Sequence, residues 1–437
     1  MFARLAVFAG GWTLDAAEQV CGVASTLDAL TALVNQNLAQ RHATDSETWF
    51  TLLELIREHA LEKLRARDEM FAMQHAHALY FVARAENRQS HAFTQTWLAQ
   101  MEREHTNLRA ALKWLLDAGK IELAARLAIG LAAFWSVHSR YLSEGRDWLD
   151  QVLRALENAA LPARTRAQML NDAGTLAYLS SDYSAARAFS TRSLACAHEA
   201  KDRSLIAYAL FGLSNVAMNT GDYTSTAMLV RECLTLARAL NDPWLVAMTL
   251  NNAGEVARLR GDWDRAEEMF REGATLLEQL DEKGFVAILL DGVGTIAQYR
   301  GEYARAYTIH TRALALASQV DDRRVIALAL EKIAGVASAQ NQCTCAARLL
   351  GAADALRATI QSPVESIDRA DYDRFLAATR AGLDREAFAA RWAEGRALTM
   401  DEAIAFALTS LTPNNYSAAN ISGNLPAAKP NATNSKR

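Results

Sequence analysis

The second half of the chain repeats one pattern of apolar and polar positions every 40 residues. A Gly-Asp-aromatic triplet stands at 221–223 and 261–263 and recurs as Gly-Glu-Tyr at 301–303, with Ser-Asp-Tyr at 181–183 and Asn-Gln-Cys at 341–343. The apolar positions keep the same register, as in the column Leu170, Leu210, Leu250, Leu290 and Leu330 and the column Ala177, Ala217, Ala257, Ala297 and Ala337. Five units in register predict a repeat array in which each unit packs on its neighbours.

Each unit predicts two helices. Apolar residues spaced like Leu250, Gly254 and Ala257 give the first helix one buried face. The Gly of the triplet suits the left-handed end of that helix, and the following Asp suits the N-cap of the second helix. A small residue three positions after the aromatic lets the two helices approach, and it is found at Ala186, Ala266, Ala306 and Ala346, with Thr226 as the exception. Acidic residues that precede the next apolar pair predict the N-caps of the first helices, and they are Asp202, Asp242, Glu282 and Asp322.

This pattern resembles the tetratricopeptide repeat, with a unit of 40 residues in place of the usual length of about 34. The resemblance implies a mostly α structure, a right-handed α-solenoid of tetratricopeptide-type hairpins. In this repeat type the first helices of successive hairpins line the concave side of the solenoid.

The first 65 residues follow a different pattern. Short helical stretches, two short strand-like runs joined by a polar turn at 43–47, and a further helix are predicted there. The helices are expected at 2–8, 14–21, 27–37 and 54–64, and the strands at 38–42 and 48–52. The three short helices before the hairpin, together with the hairpin itself, describe a winged helix.

Four segments, Leu5–Ala17, Leu52–Ala60, Glu104–Leu112 and Ala390–Leu408, resemble the STAND regulators, among them LuxR-like transcriptional regulators with an AP-type ATPase. In that family a DNA-binding effector and the ATPase come first, followed by a winged helix and a tetratricopeptide sensor. The ATPase signature Gly-x-x-x-x-Gly-Lys-Ser/Thr is absent, because Gly119-Lys120 lacks the upstream glycine and is followed by Ile121. We therefore expect the C-terminal half of such a regulator, as a truncated reading frame or a split protein, with no nucleotide cofactor.

The chain divides into five predicted regions. They are a truncated winged helix at 1–65, a helical connector at 66–118, the repeat solenoid at 119–360, a C-terminal helical cap at 361–410, and a disordered tail at 411–437. The tail is rich in Asn, Ala, Ser and Pro, which cannot bury enough apolar surface to fold.

Composition argues against several other functions. The net charge is −4, and residues 1–65 hold five basic residues against eight acidic ones. Phosphate contacts need a cationic face, so direct nucleic-acid binding is not expected. No apolar run reaches the length of about 20 residues that spans a bilayer, and five unpatterned cysteines suit a reducing cytoplasm. His75, His77, Cys343 and Cys345 lack metal-ligand spacing, and no nucleophile motif points to an enzyme, so neither a metal, a cofactor nor catalysis is expected.

The concave face of the solenoid is the candidate site. In this repeat type, side chains three positions before, one after and four after the small residue of the first helix point into the groove. The candidates for ligand or partner binding are Asn171, Tyr178, Asn215, Asn251, Glu255, Arg258, Asp291 and Gln298. Such side chains suit a peptide or a small polar effector, and the alternative is a merely solvated face.

Two functional hypotheses follow. The first is a non-catalytic signal-sensing and protein-interaction module of a STAND-type transcriptional regulator, whose ATPase or DNA-binding module would reside on another chain. The second is a stand-alone tetratricopeptide scaffold or adaptor that binds peptide segments.

Overall fold

The computed structural model describes residues 1–23, 25–43, 48–86, 95–137, 139–156, 161–360 and 362–409. The disordered tail predicted at 411–437 lies outside the described residues, as does the predicted polar turn beyond Ala43. Within the described part of the chain, no helix is both long and apolar enough to span a bilayer.

The N-terminal region combines helices with one small antiparallel sheet. Its elements are α1 (Phe2–Leu5), β1 (Trp12–Thr13), α2 (Leu14–Cys21), α3 (Thr26–Asn35), β2 (Gln40–Ala43), β3 (Thr48–Thr51) and α4 (Glu54–Ala66). The strand order is β1-β3-β2, with Trp12 opposite Phe50 and Gln40 opposite Thr51. The three later helices and the hairpin are found where the sequence predicts them, but the first helix ends at Leu5. Strand β1 is not among the predicted elements, because a strand of two residues is too short to show an alternation of apolar and polar positions.

Two connector helices join this region to the solenoid. They are α5 (Met70–Glu86) and α6 (Gln95–Asp117). The buried Asn107 on α6 accepts the backbone N–H groups of Ala9 and Gly10 at 2.8 and 3.1 Å, and donates to the carbonyl of Gly11 at 2.8 Å. One apolar core runs from Leu5 through the connector to Leu176 in the solenoid. The connector therefore couples the N-terminal region to the repeats by packing as well as by chain continuity.

The predicted helical solenoid is confirmed. Six consecutive antiparallel hairpins follow the connector in the described chain, and their helices are α7 (Ile121–Val137), α8 (Ser139–Leu156), α9 (Ala163–Leu179), α10 (Tyr183–Ala200), α11 (Arg203–Asn219), α12 (Tyr223–Leu240), α13 (Pro243–Leu259), α14 (Trp263–Gln279), α15 (Lys283–Tyr299), α16 (Tyr303–Gln319), α17 (Arg323–Ala339) and α18 (Cys343–Ile360). Each helix packs on the helices before and after it. The small residues predicted to let the helices approach are fully buried, as at Ala266 and Ala306.

The turn chemistry agrees with the predicted pattern. Gly221, Gly261 and Gly301 have φ values of 79°, 80° and 76°, which a residue without a Cβ adopts freely. Ser181 and Asn341 take the same left-handed conformation at φ 60° and 59°. The chain therefore reverses at the same point in every unit, which keeps the hairpins in register.

The predicted caps of the first helices are confirmed at three of four positions. The side chains of Asp202, Asp242 and Asp322 each accept a backbone N–H from the first turn of the following helix. Glu282 occupies the same N-cap position of α15 but makes no such bond, so that prediction is wrong for its side chain. Its additional methylene carries the carboxylate past the N–H groups that an aspartate reaches, and the side chain is buried without this partner.

We expect Glu282→Gln to stabilise the protein at neutral and alkaline pH only. Burial, followed by the charge of Asp281, raises the pKa of Glu282 to about 7, whereas an unfolded glutamate titrates at about 4.3. The stability that the protonated form contributes is fully present below about pH 4 and is lost as the pH rises through about 7. The variant should therefore gain about 1–2 kcal/mol over the unmodified chain at pH 8 and nothing at pH 4, measured by urea unfolding.

Asp202→Asn is the matched control and should show the opposite dependence. Although burial alone would raise the pKa of Asp202, the N–H groups of Leu205 and Ser204 and the guanidinium of Arg164 lower it. Its carboxylate therefore stabilises the fold above the pKa of an unfolded aspartate, and this contribution disappears as the pH falls through the lowered value. A pH-independent effect at both positions would contradict this account.

The C-terminal cap consists of three further helices, α19 (Ser366–Ala381), α20 (Arg385–Arg396) and α21 (Met400–Thr409). Helix α20 lies close against α18, since a Cβ on Gly351 or Gly395 would overlap the facing backbone of the other helix. The Tyr307 hydroxyl of α16 donates to the carbonyl of Ala407 in α21 at 3.0 Å. Helix α19 instead packs on the first helix α17 and approaches α11, so it lies on the concave side.

Candidate functional site

The N-terminal half of the concave face contains an open cavity. It encloses about 560 Å³ and is lined by the end of α5 and by the first helices α7, α9, α11 and α13. Its polar lining includes Arg126, Arg164, Gln168, Asp172 and Thr175. A cavity of this size on the concave face can accept a few side chains of a partner or a small polar molecule.

Half-buried aromatic side chains continue from this cavity along the concave face. The Trp244 ring lies 6.2 Å from that of Tyr208 in a stacked arrangement, and 6.1 Å and 5.4 Å from those of Phe211 and Phe285. The Tyr208 hydroxyl donates to Asp242 at 2.9 Å, which fixes the ring. We call these four aromatic residues the aromatic row. Rigid aromatic rings offer contact area at a low cost in side-chain entropy, which favours protein recognition.

The cationic groups at the cavity are neutralised by neighbours. Arg126 pairs with Glu86 at 2.6 Å, and Arg164 pairs with Asp202 at 2.9 Å. The cavity therefore offers hydrogen-bonding groups and aromatic surface without a strong field of one sign. This arrangement does not provide the cationic face that phosphate groups require.

The candidate residues of the first repeats take part in polar contacts within the groove. The Tyr178 hydroxyl accepts a hydrogen bond from the Asn219 amide at 2.9 Å, and burial raises the pKa of Tyr178. The Asn215 side-chain oxygen accepts a bond from Asn252 at 2.6 Å. Two further candidates, Asn171 on α9 and Asn251 on α13, are half-buried.

The candidates of the later repeats divide between two environments. The buried Arg258 and the half-buried Glu255 of α13 form an ion pair at 2.6 Å. Asp291 of α15 is also buried, and it lies 2.8 Å from the Nδ1 atom of His310 on the second helix of the same hairpin. The structure therefore places Asp291 at the seam between the two helices. Gln298 is buried, and its side-chain oxygen has no partner among the described residues.

Helix α19 contributes a carboxylate to the ion pair on α13. The Asp371 carboxylate accepts the Tyr299 hydroxyl at 2.7 and 2.8 Å and lies 3.6 Å from the Arg258 guanidinium. Lys332 of α17 lies 2.7 Å from Asp368 and 3.7 Å from Asp371. We call this set, completed by Glu255 and by Arg374 of α19, the charged junction.

Burial and mutual attraction determine the charge states in the charged junction. Burial alone would lower the pKa of Lys332, but Asp368 and Asp371 outweigh it and raise that pKa. Burial would raise the pKa of Asp371, yet Lys332 and Arg258 hold it below its usual range. At Glu255 burial has the larger effect and raises the pKa in spite of Arg258. The lysine, the arginine and Asp371 are thus held in their charged forms at neutral pH.

Sequence reasoning found Glu255 and Arg258 but missed their partners. Lys332 was the best available signal, because a lysine at a concave position of an otherwise apolar first helix calls for a nearby anion. Asp368 and Asp371 lie outside the 40-residue pattern, so nothing local connects them to the groove. Of the aromatic row, only Phe211 follows from the groove spacing, because it lies three positions before the small residue Ser214 of α11. The other three rings were missed, since they occupy different positions of the repeat unit.

Comparison with known proteins supports the repeat assignment. A tetratricopeptide repeat family profile matches residues 205–279, and a second profile of the same description matches residues 289–324. These segments include three of the four residues of the aromatic row and several candidate residues of the groove.

The sequence relatives include proteins assigned as HTH-type transcriptional regulators. Those from Mycobacterium bovis and Mycobacterium tuberculosis are 35% identical to this chain over 186 residues, which make up 40% of this chain and 21% of each relative. The matched segment therefore spans about a fifth of the length of these relatives.

Two solved structures are similar to this chain over most of its length. The STAND protein with a tetratricopeptide repeat sensor from Pyrococcus horikoshii is 13% identical, with a TM-score of 0.48 over 94% of this chain and 64% of that chain. Aspartyl phosphate phosphatase F from Bacillus subtilis is 13% identical, with a TM-score of 0.49 over 79% of this chain and 89% of that chain. The chain carries tetratricopeptide repeats, which form protein-interaction modules, and its fold is an α-solenoid.

Proposed function

We propose that this chain is the signal-sensing, protein-interaction part of a STAND-type transcriptional regulator and binds a protein or peptide partner on its concave face. The observation that carries the proposal is the open cavity beside the aromatic row. It combines hydrogen-bonding groups, fixed aromatic rings and internally paired charges on the face that the repeats leave accessible. A catalytic role needs a nucleophile or a base in a defined constellation, whereas this surface suits recognition.

Two further observations support the regulatory part of the proposal. The mycobacterial relatives are assigned as HTH-type transcriptional regulators. The N-terminal region has the order helix, strand, helix, helix, hairpin, with three strands in one antiparallel sheet, as in a winged helix. The chain would then act together with an ATPase or DNA-binding module.

The connector offers a physical route from the cavity to the N-terminal region. Glu86 at the end of α5 lines the cavity, and α5 also packs on α2. At the crossing of α5 and α7, a Cβ on Gly130 would lie 2.7 Å from the Cβ of Ala85, so these helices are in close contact. A partner that moves α7 must therefore move α5, and with it the winged-helix-like region.

Site-specific photo-crosslinking of the full chain tests the proposal. A photoreactive amino acid replaces Thr175, which is exposed at the cavity, and the chain is irradiated in the cells that normally produce it. We expect one defined protein or peptide adduct, at least about fivefold weaker when Trp244→Ala removes the central ring of the aromatic row. The same amino acid in place of the exposed Arg192 on α10 serves as the control.

Equal adducts at both positions, or none at Thr175, would refute binding at the concave face. The identity of the adduct separates the two functional hypotheses. An ATPase or a DNA-binding protein supports the regulator, whereas a partner with neither module supports a stand-alone scaffold.

A further inference from the structure

We infer that α19 is a displaceable internal occupant of the concave face, and that the C-terminal half of this face binds an acidic helix of a partner in its place. This inference rests on the proposed function, because it names the class of partner that the concave face recognises. The open cavity and the charged junction are separate parts of that face, so each can be tested independently.

The position of α19 is the first observation. Its side chains reach the same columns of the repeat that are expected to contact a ligand. Asp371 lies beside Arg258, which stands four positions after the small residue Gly254 of α13. Phe375 packs on Gly335, which stands one position after the small residue Ala334 of α17. A Cβ on Gly335 would lie 2.6 Å from the Phe375 ring, so the glycine provides the space that this ring occupies. Helix α19 therefore lies where a partner helix would lie.

The chemistry of the contact is the second observation. The fully buried stripe of α19 consists of Asp371, Phe375 and Thr379, and only one of these is a large apolar residue. On the opposite face of the helix, residues such as Arg369 and Asp373 are exposed. A buried ion pair contributes little net stability, because removing both charges from water costs nearly as much as their attraction returns. Tyr372 and Leu376 add half-buried apolar contacts with the solenoid. The buried polar contacts of α19 are those of Asp368 and Asp371 with Lys332 and Arg258, and an acidic partner helix can reproduce them.

The independence of the neighbouring helices is the third observation. Helix α20 is in close contact with α18 at Gly351 and Gly395, and α21 is bound to α16 through the Tyr307 hydroxyl. Short connections at 362–365 and 382–384 flank α19. Release of α19 therefore leaves the rest of the C-terminal cap in place.

The side chains of α19 indicate which features a partner helix needs in order to replace it. Two carboxylates one helical turn apart, at Asp368 and Asp371, contact Lys332, Tyr299 and the region of Arg258. An aromatic ring one turn later, at Phe375, fills the space over the α17 backbone. A partner that competes with α19 should therefore present a helix with acidic residues at i and i+3 and an aromatic residue at i+7.

A binding experiment with the full chain tests the inference. The probe is a fluorescein-labelled peptide with the sequence of residues 364–382, and the readout is fluorescence anisotropy. In the unmodified chain the tethered α19 competes at an effective concentration of about 1 mM. We expect the peptide to bind the loosened variant Asp368→Asn/Asp371→Asn/Phe375→Ala at least about tenfold more tightly than the unmodified chain.

Two controls assign that binding to the charged junction. Adding Lys332→Ala to the loosened variant, or replacing both aspartates of the peptide with asparagine, should weaken binding at least about tenfold. Far-UV circular dichroism checks that each variant remains helical, and Asp371→Asn alone serves if the triple variant does not fold.

Equal binding by the unmodified and loosened chains, no binding by the loosened chain, or binding indifferent to Lys332 would overturn the inference. Failure here with a successful crosslink at Thr175 leaves the proposed function standing. If the crosslink at Thr175 fails but the peptide binds, binding at the open cavity is refuted and binding at the charged junction stands.

Discussion

Lys332→Met is expected to lower the free energy of unfolding of the C-terminal half of the solenoid by about 3–5 kcal/mol. The lysine side chain is only 4% exposed and provides the cation nearest to Asp368, at 2.7 Å. Methionine fills a similar volume but leaves the half-buried Asp368 without its cation, and leaves the buried Asp371 with the arginines of the charged junction alone. Such an uncompensated charge is among the most destabilising changes that a single substitution can make.

Urea unfolding followed by far-UV circular dichroism measures this effect, together with amide exchange in α17 and α19, because repeat arrays can unfold in segments. Adding Asp368→Asn and Asp371→Asn should recover most of the loss, since the unpaired charges are then gone. Arg312→Met removes the exposed pair with Glu278 and should cost at most about 1 kcal/mol. A loss at Lys332 as small as that at Arg312 would contradict the role of the charged junction.

Ala306→Leu is expected to lower the free energy of unfolding by about 3 kcal/mol. Ala306 is fully buried near the start of α16, at the small-residue position that the sequence predicts for the approach of α15 and α16. A leucine there must displace one of the two backbones, and the displacement spreads to the neighbouring hairpins because each packs on the next. The midpoint of urea unfolding measures the loss.

The exception at Thr226 provides a matched control for the repeat register. Thr226 occupies the equivalent position in α12, is also fully buried, and its hydroxyl donates to the carbonyl of Asp222 within its own helix. Thr226→Ala restores the residue that the pattern prefers and should change stability by at most about 1 kcal/mol. Equal losses in the Ala306 and Thr226 variants would show that the small-residue column is not a packing requirement.

Much of the solenoid could be predicted because its determinants are local. The left-handed turn at Gly261 and the cap at Asp242 each depend on residues a few positions apart, and both recur every 40 residues. Glu282 shows the limit of such reasoning, since one additional methylene removes the capping bond that position and charge together predict. The winged helix remains a prediction, although the order of its elements agrees.

The occupied half of the concave face could not be predicted for a physical reason. The approach of Asp371 to Arg258 depends on the curvature summed over several hairpins, and no short segment of sequence encodes that sum. Asp291 occupies a groove position by spacing, but its carboxylate also contacts His310 on the second helix of the same hairpin, which the spacing alone does not predict. Contacts between distant units, and choices between two adjacent environments, require the three-dimensional structure.

Amide hydrogen exchange in the full chain tests most directly the claim that the concave face is a binding surface partly occupied by α19. If α19 is a displaceable occupant, its amides exchange at least about tenfold faster than those of α17 and α20, because it opens without them. They accelerate further in Asp368→Asn/Asp371→Asn, while α17 and α20 stay protected. Exchange of α19 as slow as that of α17 in both proteins would show that it is a fixed part of the core and would contradict the account.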